Sequence, residues 1–137
     1  MAFRFAVDTK NSILLMSIDG VLTDQTLFDG YTALVRLHER YGACHCIVDY
    51  TGLTEVAIST AGVRNLAYTR PIFPSSCVTL NVAPEKAMFG MARMFQTLAS
   101  DNRPNFRVVQ TMEEALKTIG VTSAKFTPVE DESADVA

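Results

Sequence analysis

Two adjacent hydroxyls open a short polar step, Ser59-Thr60-Ala61-Gly62, between the apolar run ending at Ile58 and a helical spacing that begins at Val63. Hydroxyls in that position can cap a helix, accept a phosphoryl group or meet a partner protein. The first N–H groups of a helix lack intrahelical acceptors and its N-terminal end carries partial positive charge. A phosphate or carboxylate placed there is therefore stabilised by roughly 1 kcal/mol. Phosphorylation of Ser59 or Thr60 would bring nearly two negative charges to a partner surface. The plainer reading is that Ser59 caps the helix, while Ala61 and Gly62 let it pack closely on its neighbours.

Cys44-His45-Cys46 invites a metal. If the segment is a strand, side chains alternate across it, and His45 faces away from both cysteines, so the three cannot converge on one ion. Cys44, Cys46 and Cys77 form an odd set, and the opening MAFRFAVDTK lacks the long apolar core of a signal peptide. Reduced, buried thiols are therefore expected in place of a disulfide framework or a zinc site, with no metal and no cofactor.

The third stretch is PEKAMFGMARMFQTLAS, from Pro84 to Ser100. At 100° per residue Met91, Phe95 and Leu98 share a stripe with Met88 and Ala92, while Phe89 and Met94 fall toward opposite flanks. This arc is wider than one sheet face needs. Core packing accounts for Met91 and Phe95. The excess, represented by Met88, Phe89 and Met94, could line a pocket for an acyl chain or form a homodimer contact, because methionine adapts to irregular partners. Gly90 inside this helix costs about 1 kcal/mol relative to alanine, which suggests close approach by another element.

Elsewhere the signals are those of structure. Asp8, Asp19, Asp24, Asp29 and Asp49 fall on turns and helix starts, where carboxylates cap. His38, beside Glu39 and Arg40, is expected in solvent. The sequence has no Gly-rich phosphate loop and no nucleophile elbow, so a non-enzymatic protein is expected. Twelve basic against fifteen acidic side chains, a net charge of -3 and no dense Lys/Arg run argue against nucleic acid. No apolar run approaches the roughly 20 residues that cross a bilayer, and a cytoplasmic location is expected.

These residues need elements to hold them. A chain of 137 residues, 48% hydrophobic and 20% charged, is the size and composition of one folded domain. Residues 2–8 and 12–18 read as an antiparallel hairpin across Thr9-Lys10-Asn11. Thr23 caps a helix that ends near Tyr41-Gly42, and residues 44–49 form a strand. The helix after Ser59 stops before Pro71, and residues 77–82 form the next strand. Pro84 sits in the first turn of a helix reaching about Leu98. Residues 106–110 are a last strand, and Thr111 with Glu114 makes a capping box for a helix ending at Gly120. The order ββαβαβαβα predicts an α/β fold: a mixed sheet of about five strands, an antiparallel hairpin followed by parallel βα units, covered by about four helices in a single layer and not doubly wound. Residues 1–120 form the domain. Residues 121–137, without sustained period and acidic at the end, read as a flexible tail.

Four stretches together resemble the STAS fold of sulfate transporters and anti-sigma factor antagonists, in its SpoIIAA-like branch. They are Ser17 to Thr23, Ile47 to Leu53 leading into Ser59 to Val63, Val78 to Val82, and Val108 to Leu116. The resemblance implies a non-enzymatic regulatory or protein-interaction module that docks a partner through the N-terminal end of its second helix. In anti-sigma factor antagonists a serine there, in an Asp-Ser-Ser-Gly-like stretch, is phosphorylated by the partner kinase. Ser59 and Thr60 are the nearest hydroxyls here, with Ile58 in place of the aspartate and Ala61 interposed before Gly62. The same fold is similar to CRAL-TRIO lipid-carrying domains, which implies the alternative of a small apolar ligand such as a lipid or fatty acid.

Overall fold

The mixed run FRFAVD and the nearly continuous apolar run ILLMSI, covered on both faces, make β1 (Phe3–Asp8) and β2 (Ile13–Ile18), paired antiparallel from Phe3 opposite Ile18 to Asp8 opposite Ile13. The computed structural model describes residues 3–130. In the connecting turn the Asp8 carboxylate accepts from the Asn11 backbone N–H at 3.0 Å and from Asn11 Nδ2 at 2.7 Å, and Ser12 adopts a left-handed φ of 58°.

Beyond the hairpin come β3 (Gly20–Thr23), α1 (Asp24–Tyr41), β4 (His45–Asp49), β5 (Leu53–Ala57), α2 (Thr60–Ala67), β6 (Thr79–Val82), α3 (Lys86–Leu98), β7 (Phe106–Val109), α4 (Met112–Thr118) and β8 (Thr127–Val129). The fold is α/β, with four helices and a six-stranded mixed sheet in the order β7-β6-β4-β2-β1-β8. β2, β4, β6 and β7 are mutually parallel, and β1 runs antiparallel to both β2 and β8. The five expected strands are β7, β6, β4, β2 and β1, which are consecutive in this order from the β7 edge to the hairpin. Among the described residues no helix is long and apolar enough to cross a membrane.

Three short strands depart from the expectation. β3 and β5 pair with each other as a separate parallel ribbon, which begins where Gly20, at φ 84°, bends the chain away from β2. Most of their positions are exposed or only partly covered, so neither shows the apolar run that marks β4 and β6. β8 adds to the outer edge of β1, Phe5 facing Val129, so residues 121–130 are not a tail. Asp8 draws this segment in by accepting from the Lys125 N–H at 3.1 Å, and Asn11 Nδ2 donates to the Ser123 carbonyl at 3.2 Å. The expected tail over 131–137 lies outside the described residues.

The period of two sorts the sheet into two cores. Leu14, Met16, Cys46, Val48 and Tyr50 face a core shared with Leu34 and Leu37 of α1 and Met88 and Ala92 of α3, and Val63 of α2 is buried on the same side. Ile13, Ile47, Leu80 and Val82 face the opposite way, onto Ala115, Met112 and Leu116 of α4 and onto Phe126. The expected single helical layer is thus corrected. α4 follows β7 at the sheet edge and returns over the far face, whose apolar side chains would otherwise meet water.

The caps are where the sequence places them. Thr23 Oγ1 accepts from the Thr26 N–H at 3.1 Å, Ser59 Oγ from Gly62 at 2.9 Å and Thr111 Oγ1 from Glu114 at 3.1 Å, while Gly42 ends α1 at φ 63°. α3 starts at Lys86, two residues beyond the Pro84 expected in its first turn. Glu85 caps it, its Oε2 accepting from Ala87 and Met88, and Pro84 precedes the cap.

The cysteines require a correction. Cys44 and Cys77 form a disulfide, with Cα atoms 5.4 Å apart. The pairing of β4 with β6 sets Cys46 opposite Thr79, and continuing that register two residues back sets Cys44 opposite Cys77. This neighbour relation belongs to the sheet order and is invisible along the chain. Only Cys46 is a free thiol; it is fully buried, and burial pushes its pKa up to about 12.

Two smaller expectations also change. A Cβ at Gly90 would touch nothing within 4 Å, so no element approaches it. His38 is half-buried, its ring edge-on to Phe73 with centroids 4.6 Å apart.

Candidate functional site

Strand alternation delivers Met16 from β2, Cys46 and Val48 from β4, and Thr79 and Asn81 from β6 to one face of the sheet. Above that face α1 contributes Leu27, Tyr31 and Leu34, α2 contributes Val63 and Leu66, and α3 contributes Met88, Met91, Ala92 and Phe95. The helices do not fill the space between them. They enclose a cavity of about 210 Å³ with a predominantly apolar lining.

Two loops complete the wall. One follows α2 and carries Pro71, Ile72, Phe73 and Cys77; the other follows α3 and carries Asn102 to Asn105. Their lining residues Pro74, Ser75, Asn102 and Pro104 are exposed, so the cavity opens between these loops. The first loop is tied down at both ends. The Cys44–Cys77 bridge holds it to the start of β4, and the Tyr31 hydroxyl donates to the Arg70 carbonyl. His45 Nδ1 accepts from the Val78 N–H at 3.0 Å, so this histidine is spent on the same junction.

Polar groups in the lining are few and positioned. Tyr50 and Asn81 are buried side by side; burial and the neighbouring Cys46 raise the Tyr50 phenol, and its hydrogen bond with Asn81 opposes them. Arg103 is the only charged lining side chain among the described residues. Its Nη2 donates to the carbonyls of Leu66 and Thr69 at 3.2 and 3.1 Å and to Thr69 Oγ1 at 3.0 Å, so the guanidinium closes the C-terminal end of α2. Asn102 Nδ2 joins it on the Thr69 carbonyl at 2.9 Å, and the Arg103 Cζ lies 5.4 Å from the Phe95 ring centroid. Burial lowers the Arg103 pKa from its usual value, opposed by Tyr31 nearby.

The Ser59 step lies elsewhere, on the outer surface at the N-terminus of α2. Ser59 and Thr60 are exposed and Gly62 is partly covered. The Ser59 N–H and hydroxyl donate to the two Asp24 oxygens at 2.8 and 2.6 Å, and Oγ accepts from Gly62, so the hydroxyl is used in both senses. These donors hold the Asp24 carboxyl below its ordinary range. Asp24 opens α1, so one carboxylate clasps the starts of both helices. A Cβ at Gly62 would lie 2.3 Å from Asp24 Oδ1, which is why glycine stands there. The close packing read into Gly62 is against a side chain of α1, not against the sheet.

Of the apolar candidates Met88 lines the cavity, Phe89 is half-buried and packs on the core outside it, and Met94 is half-buried and touches neither. Met91 and Phe95, read as core, are cavity wall. Cys44, His45 and Cys46 do not converge, since the first is in a disulfide and the second bonds Val78. Arg103 carried no sequence signal, because it lies in the aperiodic loop Asp101-Asn102-Arg103-Pro104.

The chain matches no protein-family model. No curated protein matches it either.

Proposed function

We propose that the chain is a non-enzymatic binding protein for a small apolar molecule, held between the helix-covered face of the sheet and α1, α2 and α3. The observation that carries this is the cavity of about 210 Å³ itself, bounded by Met16, Val48, Met88, Met91 and Phe95. Close-packed interiors leave few voids larger than a water, and an empty apolar space forfeits dispersion contacts that a ligand would restore. An engineered dry cavity of about 150 Å³ takes up benzene, so this one has room for a ring or a medium acyl chain.

A ligand selective for the folded state raises apparent stability by about 2.7 kcal/mol at 100 times its Kd. Thermal melts with decanoate, decan-1-ol and naphthalene, together with native mass spectrometry of protein taken directly from cells, test the reading. A rise in melting temperature with at least one probe supports it. No rise with any of the three and no co-purified mass removes its support.

A second reading keeps the STAS-like regulatory module, in which a protein partner docks at the N-terminal end of α2. It draws on the four matching stretches and on the exposure of Ser59 and Thr60. Phosphorylation of Ser59 would set a dianion against the Asp24 carboxylate and part α1 from α2 at that point, giving such a switch a physical lever. Pull-downs with wild type, Ser59→Glu and Thr60→Glu decide it. Identical partner sets for all three count against a hydroxyl switch.

A further inference from the structure

Asn81 is a buried amide with most of its hydrogen bonds unmade. It stands in β6, 7% exposed, between Val48 of β4 and Val108 of β7, neither of which offers a polar side chain. Strands disfavour asparagine, and a buried polar group without partners is costly. Its side chain bonds the Tyr50 phenol, and whichever amide atom makes that bond, the other has no partner. That other atom is not sealed in. Among the described residues Arg103 Nε is the only side-chain nitrogen or oxygen of a covered residue that is both closed to a water-sized space and unpartnered. The free side of the Asn81 amide therefore borders open space, and that space is the cavity, which Asn81 and Tyr50 both line.

We infer that the ligand of this cavity carries a neutral head with a hydrogen-bond donor beside an acceptor, a carboxamide or lactam, which pairs with the Asn81 amide while an apolar body lies against Val48, Met88, Met91 and Phe95. The amide edge of asparagine presents an N–H next to a carbonyl oxygen, and the head that matches both at once presents the same two groups in reverse. No lining side chain contributed by the sheet is charged, so the floor offers no counter-ion and suits a neutral head. A purely apolar ligand fills the space but leaves the amide unpaired; a carboxamide or lactam does both. Thr79 sits at the loop end of β6, where its N–H donates to the Asn105 carbonyl, and Asn81 lies two residues further in. The head therefore enters first, and the body trails toward the opening between the two loops.

This inference rests on the cavity reading, and the test separates the two. Quinolin-2-one, its N-methyl derivative and naphthalene share a two-ring body; the first has the full donor–acceptor edge, the second lacks the donor and the third lacks both. Their dissociation constants for wild type and Asn81→Leu are measured by calorimetry. Wild type is expected to prefer quinolin-2-one over the N-methyl compound by about tenfold or more, and Asn81→Leu to lose most of that preference while still binding naphthalene. Naphthalene binding with no such preference in wild type, or a preference unchanged in Asn81→Leu, overturns the head and leaves the cavity reading standing. A preference set by the size of the methyl group alone would persist in the variant. Binding of none of the three overturns both. Should Asn81→Leu fail to fold, the Asn81 side-chain amide resonances of wild type decide: a shift with quinolin-2-one well beyond that with naphthalene supports the pairing, and equal shifts overturn it.

Discussion

Breaking the Cys44–Cys77 bridge should lower stability by an amount that follows from its span. The two residues are 33 apart in sequence, and closing a loop of that length in the unfolded chain is worth about 3.7 kcal/mol on the chain-entropy account. For 137 residues at about 2.1 cal/mol/K each, the unfolding entropy is about 0.29 kcal/mol/K, so the melting temperature should fall by about 13 °C. Circular dichroism melts of the oxidised protein, the phosphine-reduced protein and a Cys44→Ser/Cys77→Ser variant give the comparison, and the last two should coincide. Thiol titration without reductant supplies the check on state. It should find none in the native protein, because Cys46 is buried with its pKa near 12, and one after denaturation. Three titratable thiols in freshly unfolded protein, or a melting shift below about 2 °C, would refute the reasoning. The loss should also weaken ligand retention, because Cys77 is part of the cavity wall.

Three further outcomes follow from local geometry. Gly90→Ala should stabilise by about 0.5–1 kcal/mol in chemical denaturation, since the site is helical, exposed and open. Gly62→Ala should lower the melting temperature by a few degrees, and the loss should shrink in an Asp24→Ala background, where the facing carboxylate is gone; equal losses in both backgrounds would contradict the clasp. The Asn11 side chain, aided by the N–H groups of Asn11, Lys125 and Lys10, holds the Asp8 carboxyl below its ordinary range. Its contribution is therefore full above the ordinary carboxylate range and is lost as pH falls through the depressed folded-state value. The protection factors of the Thr127 and Val129 amides against hydrogen exchange should fall as pH falls through that range, and by less in Asp8→Asn.

What the sequence disclosed was local. Thr23, Ser59, Thr111 and Gly42 announce helix ends through bonds made within a turn or so of themselves, and β1, β2, β4, β6 and β7 follow from apolar runs bounded by turn residues. The elements it hid depend on distant partners. β8 has three residues and exists because Asp8 and β1 receive it; the disulfide needs β4 beside β6. The cavity is hidden for a sharper reason. A helix stripe that faces a filled core and one that faces a void have the same sequence pattern, so the arc over Met88, Met91 and Phe95 marks the right helix while pointing to Phe89 and Met94 on the wrong sides of it.

The methionines provide the most direct test of the central claim. Met16, Met88 and Met91 line the cavity, while Met94 and Met112 do not, so their labelled methyl groups report occupancy with an internal control. On addition of decanoate the account predicts shifts of the first three methyl resonances with the last two unmoved. Shifts at Met94 and Met112 instead, or no shift at any of the five, would contradict it.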